Sequence, residues 1–482
     1  MRQADREKSR VDDENSVFII YSRKIFLRLR ALFQYDLRAG ITQNSLLLLS
    51  GNLAGMALGL ISSALLARSL GPEGLRIFAV IGTVTTIGHT VADFGLSSSA
   101  IRQIAVHLTR DPDQARRTAG IFARLKLLTG LITCGFILAF VGPLTRVLKL
   151  PPESGPLLIA LTSLMLLVSV LHGMTGTILQ ALRRYRLLVG TQLVNAGSTV
   201  LLVALFFLTQ RLTLWPALIL VGVVTTLAAT SLEFSGLPAD WRKAVLSRAE
   251  HLGMQGRRLL GFSKWLWLSA SLSILASQLD LLLVNLWTSP QIAGFYALAL
   301  NLSFKVHIVN KALYVVLLPT VSALAGQESY RTYVRHSLAR SLILGALVLA
   351  MLPLAPPFIL AVYGTAYAAS INVFYFLMAF VLVDLFSMPV LLLAFPMNRP
   401  RLIAASDAVR VVTLIVAGSL FIPVWGMYGA ALAKLISVVA GALVTGTAIA
   451  LGLRTSPPTP TPSLAVQAQE RGEEWPSGWG EA

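Results

Sequence analysis

An all-α polytopic membrane protein of about twelve transmembrane helices, arranged as two six-helix lobes, is predicted from three properties of the 482-residue sequence. Its residues are 55% hydrophobic and only 13% charged, with a mean hydropathy of +0.72, whereas a soluble domain carries about 25% charged residues. Its apolar residues fall into runs long enough to cross a bilayer, about twenty residues each. One design also occurs twice. The stretch Leu66-Ala67-Arg68-Ser69-Leu70-Gly71-Pro72-Glu73-Gly74-Leu75-Arg76-Ile77-Phe78-Ala79 joins two apolar runs through a Pro-led turn. Leu286-Trp287-Thr288-Ser289-Pro290-Gln291-Ile292-Ala293-Gly294-Phe295-Tyr296-Ala297 does the same, with Pro72 matching Pro290, Phe78 matching Tyr296 and Ala79 matching Ala297.

In chain order, residues 1–43 come first and form a basic N-terminal segment. Within it, 17–38 mix Phe18, Ile19, Ile20 and Phe26 with Arg23, Lys24, Arg28 and Arg30, the pattern of a helix lying on an anionic membrane surface. Its long basic region and lack of a small-residue cleavage site differ from a removed signal peptide. Spans are expected near 44–67, 77–99, 120–142, 156–181, 187–209 and 212–234, which make up an N-terminal lobe over 44–235. A connector over 236–261 comes next. A C-terminal lobe over 262–453 holds spans near 263–287, 291–318, 337–357, 370–396, 402–422 and 427–452. Residues 454–482 form a Pro-rich tail (Pro457, Pro458, Pro460, Pro462) with no means of building a core.

The 40 Lys and Arg residues test this layout. Only Arg68, Arg76, Arg146, Lys149 and Arg211 fall on one side, and Lys305, Lys311 and Lys434 fall within spans; the rest lie on the other side, in alternate loops and both terminal segments. Basic loops stay cytoplasmic, so both termini are expected there. Six spans per lobe gives the two lobes the same orientation, a parallel repeat. Arg184-Tyr185-Arg186-Leu187-Leu188 and Arg399-Pro400-Arg401-Leu402-Ile403 echo each other at nearly the same offset. The net charge of +18 is therefore a matter of topology and implies no nucleic-acid partner. The one cysteine, Cys134, excludes an intrachain disulfide and a Cys-based metal site.

The run Asn52-Leu53-Ala54-Gly55, then Leu65 to Gly74, then Ala92-Asp93-Phe94-Gly95-Leu96 resembles the start of the bacterial polysaccharide-biosynthesis membrane proteins. These are the O-antigen and exopolysaccharide flippases of the multidrug/oligosaccharidyl-lipid/polysaccharide (MOP) superfamily. In one departure, this chain has Arg76 where similar members have Gly, as at Gly294. The resemblance implies a MATE-like pair of lobes around a central cavity in the bacterial inner membrane. It also implies a substrate, an oligosaccharide on a polyprenyl diphosphate, moved by alternating access beside glycan polymerase and export machinery. The competing readings are a cation-coupled multidrug exporter of the same superfamily and a membrane glycan polymerase or ligase; the short outward loops count against the last.

No catalytic or metal-binding motif is present, and no cofactor is expected beyond an H⁺ or Na⁺ gradient or the membrane potential as a driving force. The candidate residues are ionisable groups within spans, which are costly in lipid and point to a cavity or a partner. His89 and Asp93 share a helical face, as do His307 and Lys311, and the repeat aligns the two pairs. Asp93 and Lys311 are therefore expected to meet in the cavity, with Lys311 exchanging Asp93 for the lipid diphosphate. An ordinary ion pair, or a Lys311 that snorkels to the surface, is the plainer alternative. Lys305 points away from the Lys311 face unless the helix bends. Arg68 is a candidate for late diphosphate contact or an interfacial anchor, and Lys264 and Arg102 for headgroup loading or topology. Asp280 and Asp384 are candidates for ion coupling or for buried hydrogen bonding. Pro319, Pro389 and Pro396 are expected to kink their helices.

Overall fold

The computed structural model describes residues 43–247, 253–322, 327–397 and 401–455. The expected interfacial helix at 17–38 and the Pro-rich tail beyond 455 lie outside the described residues. Leu48–Ala482 forms one compact unit, separate from Met1–Leu47, and that unit holds the helices that pack together.

The first half of the chain contains α1 (Gln43–Asp93), α2 (Leu96–Arg110), α3 (Pro112–Ala139), α4 (Val141–Val147), α5 (Gly155–Ala181) and α6 (Tyr185–Leu208). It continues with α7 (Leu214–Ile219), a π-helical turn (Leu220–Val224), α8 (Thr225–Ser235) and α9 (Ala239–Leu246). The second half contains α10 (Gly253–Trp287), α11 (Pro290–Val306), α12 (Ile308–Ser322), α13 (Gln327–Met351) and α14 (Ala355–Tyr363). It closes with α15 (Ser370–Leu392) and α16 (Arg401–Thr455). Among the described residues there is no strand.

Among the described residues, ten helical stretches are long and apolar enough to cross a membrane. Two of them, Leu47–Asp93 and Arg401–Leu451, are 47 and 51 residues long, and each doubles back at a glycine. Gly71 has φ 64° and ψ 179°, a region open essentially to glycine alone. Ser63 and Thr86 line the same cavity, although a straight helix would hold them about 35 Å apart. In α16 the break is at Gly426, and the Ser406 hydroxyl donates to the Gly441 carbonyl at 3.0 Å; a straight helix would separate them by about 50 Å. Each stretch therefore serves as two crossings, which accounts for about twelve.

Several expected spans are altered, among them the ninth, which begins at Gln327 and is broken at Leu352–Leu354. The second stops at Asp93, because Phe94 (φ 47°) and Gly95 (φ 67°) turn the chain into the separate helix α2. The third begins eight residues early, where the Asp111 carboxylate accepts from the Asp113 and Gln114 amides, both at 3.1 Å, and Pro112 opens the helix. The eighth breaks at His307, between α11 and α12. Pro389 lies inside α15 three residues before its end, and Pro396 lies just beyond it.

Within each half the helices pack mainly on one another: α3, α5, α6 and α8 in the first, α10, α11, α15 and α16 in the second. Their outer faces are apolar. Leu201, Leu205 and Leu208 form an exposed stripe one helical face wide on α6, a surface that only lipid would cover without penalty.

Candidate functional site

The two halves touch at both ends: at the basic end Trp267 Nε1 donates to the Val91 carbonyl at 3.1 Å and its ring packs on Phe94, and the opposite end carries the larger set of hydrogen bonds. The Arg68 guanidinium donates to the Val362 carbonyl at 2.9 Å and to the Ala361 carbonyl, the last acceptors of α14. Tyr367 donates to the Ala67 carbonyl at 2.9 Å, and the hydroxyls of Ser63 and Tyr363 lie 3.0 Å apart. Burial pushes the Tyr367 phenol above its ordinary range, so it remains a donor. Arg76 is 2% exposed and binds the Asn285 side chain at 2.7 Å across the halves, with the Lys149 carbonyl at 3.1 Å. Asn285 in turn donates to the Leu148 carbonyl at 2.9 Å. Gly294 sits against the turn of α1 so closely that a Cβ there would lie 2.0 Å from the Pro72 carbonyl oxygen. The residue that departs from the sequence pattern, Arg76, thus leaves the Gly71 turn intact and acts as a clasp.

Beneath the clasp lies a cavity of about 230 Å³, lined from the first half by Ser63, Phe78 and Thr83 and from the second by Gln278, Asn301 and Phe304. The Thr83 hydroxyl donates to the Gln278 side chain at 3.2 Å across it. Nearer the basic end, the half-buried Lys305 brings its ammonium to 3.4 Å from the position a Cβ on Gly59 would take, bridging α11 to α1. Lys305 has no ion pair or hydrogen bond among the described residues. Lys311, on α12, is exposed and equally without a partner there. The break at His307 removes the straight-helix condition that set the two lysines on opposite faces.

The carboxylates found in the spans have other partners than the sequence suggests. Asp93 accepts from Lys126 and from the Ser97 hydroxyl, so its partner is Lys126 of α3 in place of Lys311. His89 is 2.9 Å from the Ser169 hydroxyl on α5. Glu233 on α8 is fully buried and accepts from Thr175 and from Thr191, the latter at 3.2 Å, with His172 Nδ1 also 3.2 Å away.

In the second half, Asp280 takes Lys434 at 2.7 Å and Tyr296 at 2.5 Å, with both ends of the ion pair fully buried. Asp384 takes His307 at 2.8 Å, Arg410 at 2.7 Å and Asn310 at 3.1 Å. His307, Asp384 and Arg410 line a cavity of about 620 Å³ with Phe304, Phe380 and Ser277. In that cavity Arg410 faces two carboxylates, Asp384 at 2.7 Å and Asp407 at 3.8 Å. Of the other candidates, Arg102 is exposed on α2, and the Lys264 side chain lies outside the described residues.

Lys126, Arg410, His172 and Glu233 are absent from the candidates read in the sequence. Lys126 and Arg410 look like loop charges if α3 starts near residue 120 and basic residues are assigned to ends. The Asp111-Pro112 cap was the available signal, because it puts Lys126 four turns inside α3. Arg410 had no comparable sign; only its packing against α15 reveals it.

Residues 41–325, more than half of the chain, match the family described as polysaccharide biosynthesis protein. The chain belongs to that family. As a polysaccharide biosynthesis protein it shares its fold with MOP superfamily transporters of known structure. An inward-facing multidrug resistance MATE family transporter matches with a TM-score of 0.63 at 14% identity, over 83% of this chain and 96% of that one. The lipid II flippase MurJ, in an inward closed conformation, matches with a TM-score of 0.67 at 13% identity, over 84% and 87%. A MOP superfamily transporter from Pyrococcus furiosus Vc1, whose binding pocket has reversed polarity, matches with a TM-score of 0.59 at 15% identity, over 85% and 95%. No curated protein matches in sequence. This polysaccharide biosynthesis protein is thus a multi-pass membrane protein of the transporter and flippase fold. Among its described residues Lys305, against α1, and Lys311, exposed on α12, have no ion pair.

Proposed function

We propose that the chain is a flippase that moves an oligosaccharide on a polyprenyl diphosphate across the bacterial inner membrane by alternating access. Its termini lie in the cytoplasm, its repeat divides into six-helix lobes over 44–235 and 262–453, and it works beside glycan polymerase and export machinery. One observation carries this reading. Among the described residues Lys305 is an unpaired ammonium between the halves, while Arg76, Lys126, Arg410 and Lys434 each have partners. A lone cation in a membrane protein calls for an anion, and a diphosphate is the anion a lipid-linked glycan presents. Lys311, exposed on α12, suits first contact with the headgroup on the cytoplasmic side.

A cation-coupled drug exporter fits less well, because the unpaired charge between the halves, Lys305, is itself a cation and would repel a cationic drug. The protein is on this reading a transporter and not an enzyme.

The test is transport of a lipid-diphosphate-linked oligosaccharide in proteoliposomes, scored by lectin accessibility at the far leaflet. Lys305→Gln should lower the rate at least about tenfold, since a charged hydrogen bond contributes about 1.5–3 kcal/mol. Transport at the wild-type rate, with the protein inserted at equal levels, would remove Lys305 from the mechanism.

A further inference from the structure

We propose that Glu233 and His172 form a proton-binding site that couples transport to the proton gradient. The inference deepens the flippase reading by naming the coupling ion, and in that sense rests on it.

Glu233 differs from the other carboxylates found within the spans. Asp93, Asp280, Asp384 and Asp407 each face a lysine or arginine. Glu233 is 0% exposed, and its charged or titratable partner among the described residues is a histidine alone. A bare carboxylate in such a place carries a large desolvation cost, which a proton shared with the imidazole facing it would relieve.

The elements around Glu233 are specific about this. From α5 come His172 and the Thr175 hydroxyl and from α6 the Thr191 hydroxyl, while Arg184 at the start of α6 donates to the Gly236 carbonyl at 2.8 Å, three residues beyond Glu233. Against Gly173, the residue after His172, lie the His89 ring and the Lys126 ammonium, whose charge is met by Asp93. His172 Nδ1 is 3.2 Å from Glu233 Oε2 yet out of line for a hydrogen bond. A small rotation of the ring would align them. Its side chain is 27% exposed, so the imidazole also has a face through which a proton can arrive.

The exchange balances simply. His172 imidazolium gives its Nδ1 proton to Glu233 Oε2; the N–H bond breaks, an O–H bond forms, and both groups become neutral. A second proton then rebinds His172 from its exposed face, or the reverse sequence releases one.

A mechanical consequence is built into the same span. Between α7 and α8, N-terminal to Glu233, the chain makes the π-helical turn Leu220–Val224, where the Thr225 N–H donates to the Leu220 carbonyl five residues back. Such turns mark places where a helix shifts register at low cost. Gly176 leaves space beside Glu233 Oε1 for the change.

Infrared difference spectra of the intact protein in lipid nanodiscs, taken across a pH titration, test the site directly. The wild type should show the carbonyl stretch of a protonated carboxyl that Glu233→Gln abolishes. His172→Asn should move its midpoint by about one pH unit or more, a tenfold change in proton affinity. In proteoliposomes carrying the lipid-diphosphate-linked oligosaccharide, an imposed pH gradient should change wild-type transport several-fold and leave Glu233→Gln unresponsive. A carboxyl signal unaffected by either substitution, or an equal gradient response in both proteins, overturns the proposal. If Glu233→Gln does not fold, the wild-type and His172→Asn spectra decide alone. Should neither protein move the glycan while the titrating band is present, the flippase reading fails and the proton site stands.

Discussion

The two halves hold carboxylates in the membrane by different means. In the second half, Asp384 has a histidine (His307), an amide (Asn310) and a guanidinium (Arg410) around it. In the first, Glu233 has a histidine (His172) and two threonines, with no guanidinium among the described residues. Both are carboxylate and histidine pairs set between helices of one half. The second-half pair has an arginine beside it, and the first-half pair has none among the described residues. The two pairs are not repeat mates, since the offset that matches Pro72 to Pro290 matches His307 to His89 and not to His172. Asp280 and Lys434 extend the contrast, being a second fixed ion pair in the second half, fully buried.

The largest effect expected from this contrast is at Lys434. Lys434→Ala would strip Asp280 of its cation and leave a buried charge bare, a loss of about 3–5 kcal/mol. Thermal unfolding in detergent should show it clearly. The double change Lys434→Met with Asp280→Asn removes both charges and should recover most of the loss. No recovery would mean that packing against Phe304 and Phe380, whose ring centroids lie 5.3 and 5.2 Å from the ammonium, matters more than charge.

A matched pair of substitutions sharpens the comparison at about half that size or less. Asp384→Asn leaves Arg410 without its anion and should cost about 2 kcal/mol, less than a fully buried break because Arg410 retains some exposure and Asp407 lies 3.8 Å away. Glu233→Gln leaves no fixed charge behind, keeps the shape and should cost under about 1.5 kcal/mol. Equal costs would dissolve the distinction between the two pairs.

The repeat-related positions Arg76 and Gly294 give a smaller difference, read as conformation. Arg76→Ala removes a charged hydrogen bond between the halves, about 1.5–3 kcal/mol if fully realised. The clasped population should then fall about tenfold or more relative to the open one. Spin labels across the turns of α1 and α14 would measure that as a second, longer distance. Gly294→Ala should open the same end by steric means, because its Cβ would meet the Pro72 carbonyl. If neither variant lengthens the distance, the contacts at this end are not what holds the halves together.

Much of the architecture was legible because it rests on periodic quantities. Apolar run length gave the crossings, and the twice-written turn at Pro72 and Pro290 gave the repeat. The polysaccharide biosynthesis membership was carried by the residues around Asn52, Gly71 and Asp93. Which charge meets which was much less legible. Asp93 pairs with Lys126 because α3 begins at Pro112, a matter of one cap, and a start near residue 120 hides it. His89 and His307 do stand in repeat-matched places, facing α5 and α15, but their partners are Ser169 and Asp384. Partner choice depends on helix rotation and tilt, which an apolar pattern leaves undetermined. Arg76 shows the same limit, since a departure from a pattern marks a position without saying whether it weakens or fastens the fold.

The smallest structural effect is expected where the functional one is greatest. Lys305 and Lys311 hold no carboxylate among the described residues, so neutralising either as Gln breaks no ion pair there. Their unfolding temperatures in detergent should stay within the range of surface changes, about 0.5 kcal/mol. For Lys305 the sign should be slightly favourable, because an unpaired ammonium between helices costs more than an amide. A large destabilisation at Lys305 would mean that it has an internal partner, and the case for an anion between the halves would lose its basis. A stable Lys305→Gln that no longer moves a lipid-diphosphate-linked glycan, beside a Lys434→Ala that unfolds, would separate the cations that hold the molecule together from the one kept free for its substrate.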